Sequence, residues 1–121
     1  MRGFGELEAA IMDRIWSADG PLLVREVHGM LQPERAYNTV LTVVEILYRK
    51  GWLEREKEGR AYRYRATVSR AEYTAGLMDE VLATSTDRSA ALRRFAERIS
   101  PDEAAQLREA LDQARQAGPR P

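Results

Sequence analysis

The chain has no cysteine, a single histidine, few aromatic residues (7%) and no net charge. Without cysteine there are no disulfides, thiol nucleophiles or thiolate metal sites, a composition compatible with a reducing cytoplasm. His28 alone lacks the partners that a histidine metal site or a catalytic triad needs, and it reads as a partly exposed helix residue. No metal or cofactor is expected. There is no glycine-rich phosphate loop, and Glu54, Glu56 and Glu58 alternate along one edge as a solvated face rather than converging as paired acids. An enzyme is therefore not expected. No apolar run approaches the roughly 20 residues that span a bilayer. The start, Met-Arg-Gly-Phe-Gly-Glu, has no signal-peptide core, so a cytoplasmic chain without membrane insertion is expected.

What is present suits a small globular chain: 121 residues, 44% hydrophobic and 31% charged. The zero net charge conceals an uneven distribution. Residues 1–34 carry 3 basic and 6 acidic groups, residues 35–65 carry 8 and 4, and residues 66–121 carry 8 and 9, which together make the 19 and 19 of the whole chain. The positive excess lies entirely in the middle third. A local basic patch is what a small DNA-binding surface uses, because attraction to phosphate decays over about 10 Å in salt.

Leu7, Ala10, Ile11 and Ile15 repeat at helical spacing, with Trp16 extending the stripe, and Asp19-Gly20-Pro21 ends that helix. A short second helix is expected over residues 24–31, with Val24, Val27, Met30 and Leu31 on its apolar side, followed by a turn at residues 32–35. The next stretch, residues 36–50, is rich in β-branched side chains that favour strands. Val40, Val43, Val44 and Leu47 nevertheless follow the i, i+3, i+4, i+7 pattern of a helix. Arg49 and Lys50 suit its C-terminal dipole and Gly51 its left-handed cap, so a helix is predicted over residues 37–50. Residues 52–58 and 60–66 then alternate as two strands around Glu58-Gly59, a hairpin. Ser69-Arg70-Ala71-Glu72 and Ser100-Pro101-Asp102-Glu103 have the capping-box spacing of helix starts, and a shorter helix is expected over residues 87–99.

This order predicts a mainly α (α+β) chain. It has an N-terminal winged helix-turn-helix with a two-stranded wing (1–67), a helical domain (68–117) and a flexible tail (118–121). If residues 37–50 are the recognition helix, Tyr37, Asn38, Thr39 and Thr42 are its base-reading side chains. Leu41 has two readings, contact with a thymine methyl or packing on the second helix. Arg35, Arg49, Lys50, Lys57, Arg60 and Arg63 are candidates for phosphate or the minor groove. Arg63 and Arg65 have an alternative, pairing with Glu54 and Glu56 across the hairpin, and Arg49 and Lys50 could serve only the helix end. Tyr62 and Tyr64 are expected to pack on the recognition helix rather than stack on bases. Leu77, Met78, Val81, Leu82, Leu92, Phe95, Ile99, Leu107 and Leu111 are more apolar groups than three short helices readily hide, which points to a homodimer. Two-fold symmetry would set the recognition helices about 34 Å apart, one DNA turn. The competing function is a winged helix that binds protein through Leu41 and the tyrosines.

Leu7–Trp16, Tyr37-Asn38-Thr39-Val40 with Thr42-Val43, Leu47-Tyr48-Arg49-Lys50-Gly51-Trp52-Leu53, and Lys57-Glu58-Gly59-Arg60 with Tyr64 resemble the penicillinase-repressor family (BlaI/MecI/CopY). The resemblance runs motif by motif over residues 5–66, and over 67–113 by helix pattern. It implies a homodimeric repressor that binds a dyad operator in double-stranded DNA, with Tyr37, Asn38, Thr39 and Thr42 on the base-reading segment and Arg60 at the wing tip. In some relatives it also implies a membrane sensor-protease as partner. Three features depart from the family pattern. Glu45 and Ile46 stand where relatives often carry arginine beside the leucine, the C-terminal cysteine motif of the copper-responsive branch is missing, and Phe95 follows Arg94 rather than the Asn of the family's cleaved Asn-Phe bond.

Overall fold

The computed structural model describes residues 3–118; the last three residues of the expected tail lie outside the described residues. The elements are α1 (Glu6–Ser17), β1 (Leu22–Leu23), α2 (Val24–Met30), α3 (Tyr37–Arg49), β2 (Leu53–Glu58), β3 (Ala61–Ala66), α4 (Arg70–Ala83), α5 (Arg88–Arg98) and α6 (Pro101–Gln116). They gather into two compact units, residues 1–80 and 81–121.

In the first unit, α1, α2 and α3 enclose a core of Ile11, Met12, Ile15, Val24, Val27, Leu31, Val40, Val44 and Leu47, closed on the sheet side by Leu53 and Tyr64. The β-branched stretch is a helix because of this packing. Each valine gives up roughly 0.5 kcal/mol of helix propensity relative to alanine, whereas full burial of such a side chain contributes about 1.5–3 kcal/mol. Val40 and Val44 are buried and Val43 is half-buried, as the stripe requires. Lys50 caps the helix, and Gly51 follows with φ 89°, the left-handed region that glycine enters at least cost.

The two-stranded wing, β2 and β3, belongs to a three-stranded antiparallel sheet in the order β1-β3-β2. Leu22 and Leu23 pair with Tyr64 and Arg63, so β3 is the central strand. Only two residues make β1, too few for alternation to show in sequence. Glu58 pairs with Ala61, so the hairpin turns on Gly59 and Arg60, with Gly59 at φ 63°.

The expected boundary at 67/68 and the observed division at 80/81 differ because α4 begins against the first unit. The Tyr73 ring stacks on Phe4 with centroids 4.3 Å apart and meets Trp52 edge-on. Its hydroxyl accepts a hydrogen bond from the Phe4 amide at 2.8 Å. The Trp16 indole donates to the Val68 carbonyl at 2.9 Å. Both capping boxes form: Glu72 N donates to Ser69 Oγ, and Glu103 N to Ser100 Oγ.

Candidate nucleic-acid interface

With Val40, Val44 and Leu47 turned inward, the opposite side of α3 is left to solvent. Tyr37, Asn38, Thr39, Leu41 and Thr42 are all exposed there, in the first two turns. The Thr42 hydroxyl donates to the Asn38 carbonyl at 2.9 Å. Its proton is thus engaged, which leaves the exposed hydroxyl oxygen as an acceptor. Asn38 offers an amide that can bond a base edge at two points. Ile46, one turn beyond Thr42, is 39% exposed and continues the same face as an apolar patch.

A cleft of about 270 Å³ separates this helix from the wing, lined by Val24, Arg25, Tyr37, Leu41, Glu45, Arg60 and Tyr62 among others. Leu41 is 37% exposed at its edge. The cleft thus brings two of the base-reading candidates together with the wing-tip arginine. Arg25, on the exposed side of α2, joins them; it escaped the sequence reading because nothing local marks one arginine on a short helix as bordering a groove formed 35 residues later by Arg60.

The other cationic candidates divide by their partners. Arg35 lies 3.5 Å from Glu6, Lys50 3.8 Å from Glu8, and Arg49 3.9 Å from Glu45. These are loose, solvated pairs that phosphate can displace at little cost. Lys57 and Arg60 have no carboxylate within 4 Å among the described residues and project from the hairpin. Arg63 is held more firmly, with Nε donating to Glu58 at 2.9 Å and Nη1 to Glu26 at 3.0 Å and to the Pro21 carbonyl at 3.3 Å. Arg65 pairs with Glu54, its neighbour across the hairpin. Arg63 chooses Glu58 and Glu26 over its cross-strand neighbour Glu56.

These pairings shift acid strengths. The Glu26 carboxyl lies below its ordinary range, first because it accepts from the Leu23 amide and then because of Arg63. Glu58 is lowered by its hydrogen bond from Arg63. His28 Nε2 donates to the Arg35 carbonyl at 2.7 Å and meets the Tyr37 ring edge-on, which steadies the turn entering α3.

Tyr64 is buried, and Tyr62 is half-buried against a side chain absent from the sequence reading, Arg55. The Arg55 guanidinium lies between the Tyr48 and Tyr62 rings and donates to Glu45 at 3.0 Å. Hydrogen bonds to Tyr64 and then Glu45 raise its already high pKa further, so it stays charged. Glu45, the acid that departs from the family pattern, therefore has a defined partner.

A short helix, a second helix presenting short polar groups outward, and a hairpin with arginine at its turn define a winged helix-turn-helix protein. The chain belongs to the penicillinase-repressor family, whose model matches residues 4–113. It is 45% identical over 112 residues to the transcriptional regulator BlaI of Mycobacterium tuberculosis, covering 88% of this chain and 81% of that protein. An uncharacterised 16.5 kDa protein of Latilactobacillus sakei is 39% identical over 67 residues, covering 54% of this chain and 45% of that protein. The fold is similar to that of MepR, a transcription regulator of the Staphylococcus aureus multidrug efflux pump MepA (TM-score 0.52, 15% identity, 94% of this chain and 79% of that chain). A MepR variant bound to an oligodeoxyribonucleotide compares similarly (TM-score 0.53, 16% identity, 94% and 79%). The family is one of transcriptional regulators, not of enzymes. Among the described residues no helix is long and apolar enough to cross a membrane.

Proposed function

We propose that this chain is a DNA-binding transcriptional repressor that binds a dyad operator as a homodimer in the cytoplasm. In each protomer α3 enters the major groove, and the wing lies on the backbone or in the minor groove. The observation that carries the reading is the exposed face of Tyr37, Asn38, Thr39, Leu41 and Thr42, bordered by Arg60 across one cleft. Asn38 pairs with adenine, Thr42 accepts from a base amino group, and Leu41 meets a thymine methyl. Arg35, Arg49, Lys50, Lys57 and Arg60 meet phosphate, while the partners of Arg63 suit it better to bracing the wing.

Homodimerisation is supported by Met78, Val81, Leu92, Phe95, Leu107 and Leu111, each more than 40% exposed. Leu77, Leu82 and Ile99 are half-buried and complete that interface in the proposal. In this reading the releasing partner is a membrane sensor-protease, supported only by the family resemblance, and the Arg94-Phe95 sequence argues against cleavage at that bond.

The test is a titration with duplexes selected on the wild-type chain from a random-sequence library. Asn38→Ala or Thr42→Ala should cost about 1–3 kcal/mol of discrimination at one base pair. Arg60→Ala should weaken selected and random duplexes alike and reduce the salt slope by about one unit. Undiminished specificity in both helix variants would remove the proposed reading face. A wild-type chain with no salt-dependent DNA affinity would reassign Tyr37, Leu41 and Ile46 to a protein partner.

A further inference from the structure

Arg55 is a basic residue in the wing that faces away from solvent. Its side chain is 20% exposed, and its guanidinium carbon lies 3.9 Å from the Tyr48 centroid and 4.0 Å from the Tyr62 centroid, so both planar faces are covered. Nη1 donates to Glu45 Oε1 at 3.0 Å and to Tyr64 Oη at 3.3 Å. Two of these four partners, Glu45 and Tyr48, stand on α3, and the other two, Tyr62 and Tyr64, on β3. A single side chain of β2 therefore ties the recognition helix to both strands of the wing.

We propose that Arg55 is a positioning residue for DNA binding: it latches the wing to α3 and so sets where Arg60 stands relative to the reading face. The inference rests on the DNA-binding reading above. Beyond Arg55 the hairpin from Glu56 to Ala61 is exposed throughout, and a two-stranded ribbon holds its own direction poorly. A phosphate contact at the tip contributes affinity only if the tip is already in place when DNA arrives. With both faces and one edge occupied, the Arg55 guanidinium has little surface left for phosphate. It also pairs with Glu45, which would otherwise face the cleft with only the looser Arg49 contact at 3.9 Å.

The experiment measures fluorescence anisotropy of the full chain over a salt series, on a duplex selected with the wild-type protein. It compares Arg55→Ala, Arg55→Lys, Arg60→Ala, the Arg55→Ala/Arg60→Ala double variant and Arg55→Ala/Glu45→Gln. Arg55→Ala should weaken binding about tenfold or more and lower the salt slope by about one to two units, at least as much as Arg60→Ala, because Lys57 shares the loosened hairpin. The first double variant should match Arg55→Ala within about twofold, since Arg55→Ala already removes the Arg60 contact. Arg55→Lys should behave as Arg55→Ala, because an ammonium cannot fill the flat space between two rings. Glu45→Gln should not restore binding.

Any of four results overturns the latch. A slope in the first double variant that falls about one further unit below that of Arg55→Ala alone means that Arg55 itself meets phosphate. Wild-type binding by Arg55→Lys, or recovery with Glu45→Gln, means that its charge alone matters. Unchanged affinity in Arg55→Ala means that the wing needs no brace. Circular dichroism checks each fold; if Arg55→Ala does not fold, Tyr62→Leu removes one ring, leaves the Glu45 pair, and must show the same loss of slope. A wild-type chain that selects no duplex rejects the DNA-binding reading itself, separately from the latch.

Discussion

Residues 1–80 hide Ile11, Met12, Val40, Val44 and Leu47 almost completely, whereas residues 81–121 leave Val81, Leu92, Phe95, Leu107 and Leu111 between 44% and 57% exposed. Among the described residues of α5 and α6, none is buried. Capping does not separate them in this direction, since Asp87 and Ser100 cap α5 and α6 while the N-caps of α1, α2 and α3 make no side-chain hydrogen bond. The difference lies in where their apolar faces are satisfied: within one chain in the first unit, and by a second copy of the chain in the proposal for the second. The first unit's stability should then be intrinsic, and the second's should depend on concentration.

The largest effect that tests this contrast is in the core. Leu47→Ala should cost roughly 2–5 kcal/mol, because the space left among α1, α3 and the sheet cannot collapse fully. Urea unfolding followed by tryptophan fluorescence reads that unit alone, since both tryptophans, Trp16 and Trp52, lie in it. The cost should not vary with protein concentration. Next comes Phe95→Ala. It should weaken self-association about 10- to 100-fold, the equivalent of one large side chain withdrawn from an interface. Sedimentation equilibrium measures it, and a wild-type chain that stays monomeric at high concentration would end the contrast.

Much of this division is visible in sequence because it rests on local pattern. The Val40-Val44-Leu47 stripe, the Arg49-Lys50-Gly51 ending and the Ser69 and Ser100 caps all act within one or two helical turns, and each stands where expected. The exposed Tyr37-to-Thr42 face follows from the same stripe, since a helix that buries one side presents the other. What eluded the sequence is non-local. β1 exists only through β3, some forty residues later, and Tyr73 joins the first unit through Phe4. Arg63 finds Glu26, and Arg55 finds Tyr48 and Glu45, through folding that brings α2 and α3 against the wing. The same limit explains the domain boundary: the order of the elements sets it at residue 67, whereas the Tyr73 contacts carry the first unit past it, to residue 80.

Tyr73 offers a smaller test of that boundary. Tyr73→Phe keeps the ring stacked on Phe4 and removes only the acceptor for the Phe4 amide, so it should destabilise the first unit by about 1 kcal/mol. A change in the dimer equilibrium with no change in tryptophan-monitored unfolding would place Tyr73, and the start of α4, with the second unit instead.

The smallest expected effect is set by pH and also falls on the first unit. Glu26, Glu58 and Glu72 are held below their ordinary value of 4.5, Glu26 mainly by the Leu23 amide, Glu58 by Arg63 and Glu72 by the Ser69 amide. A depressed carboxyl favours the folded state whenever it is ionised. Its contribution is therefore complete above the unfolded value and is lost as pH falls through the lower folded one. The tryptophan-monitored melting temperature should stay level from neutrality to about pH 5 and decline below about 4.5. All three carboxylates are solvated, so the decline from this source should be shallow. Glu26→Gln/Glu58→Gln should flatten it further by removing two of the three protonation steps, and an equally steep decline in that variant would mean that the clamp around Arg63 does not stabilise the folded wing.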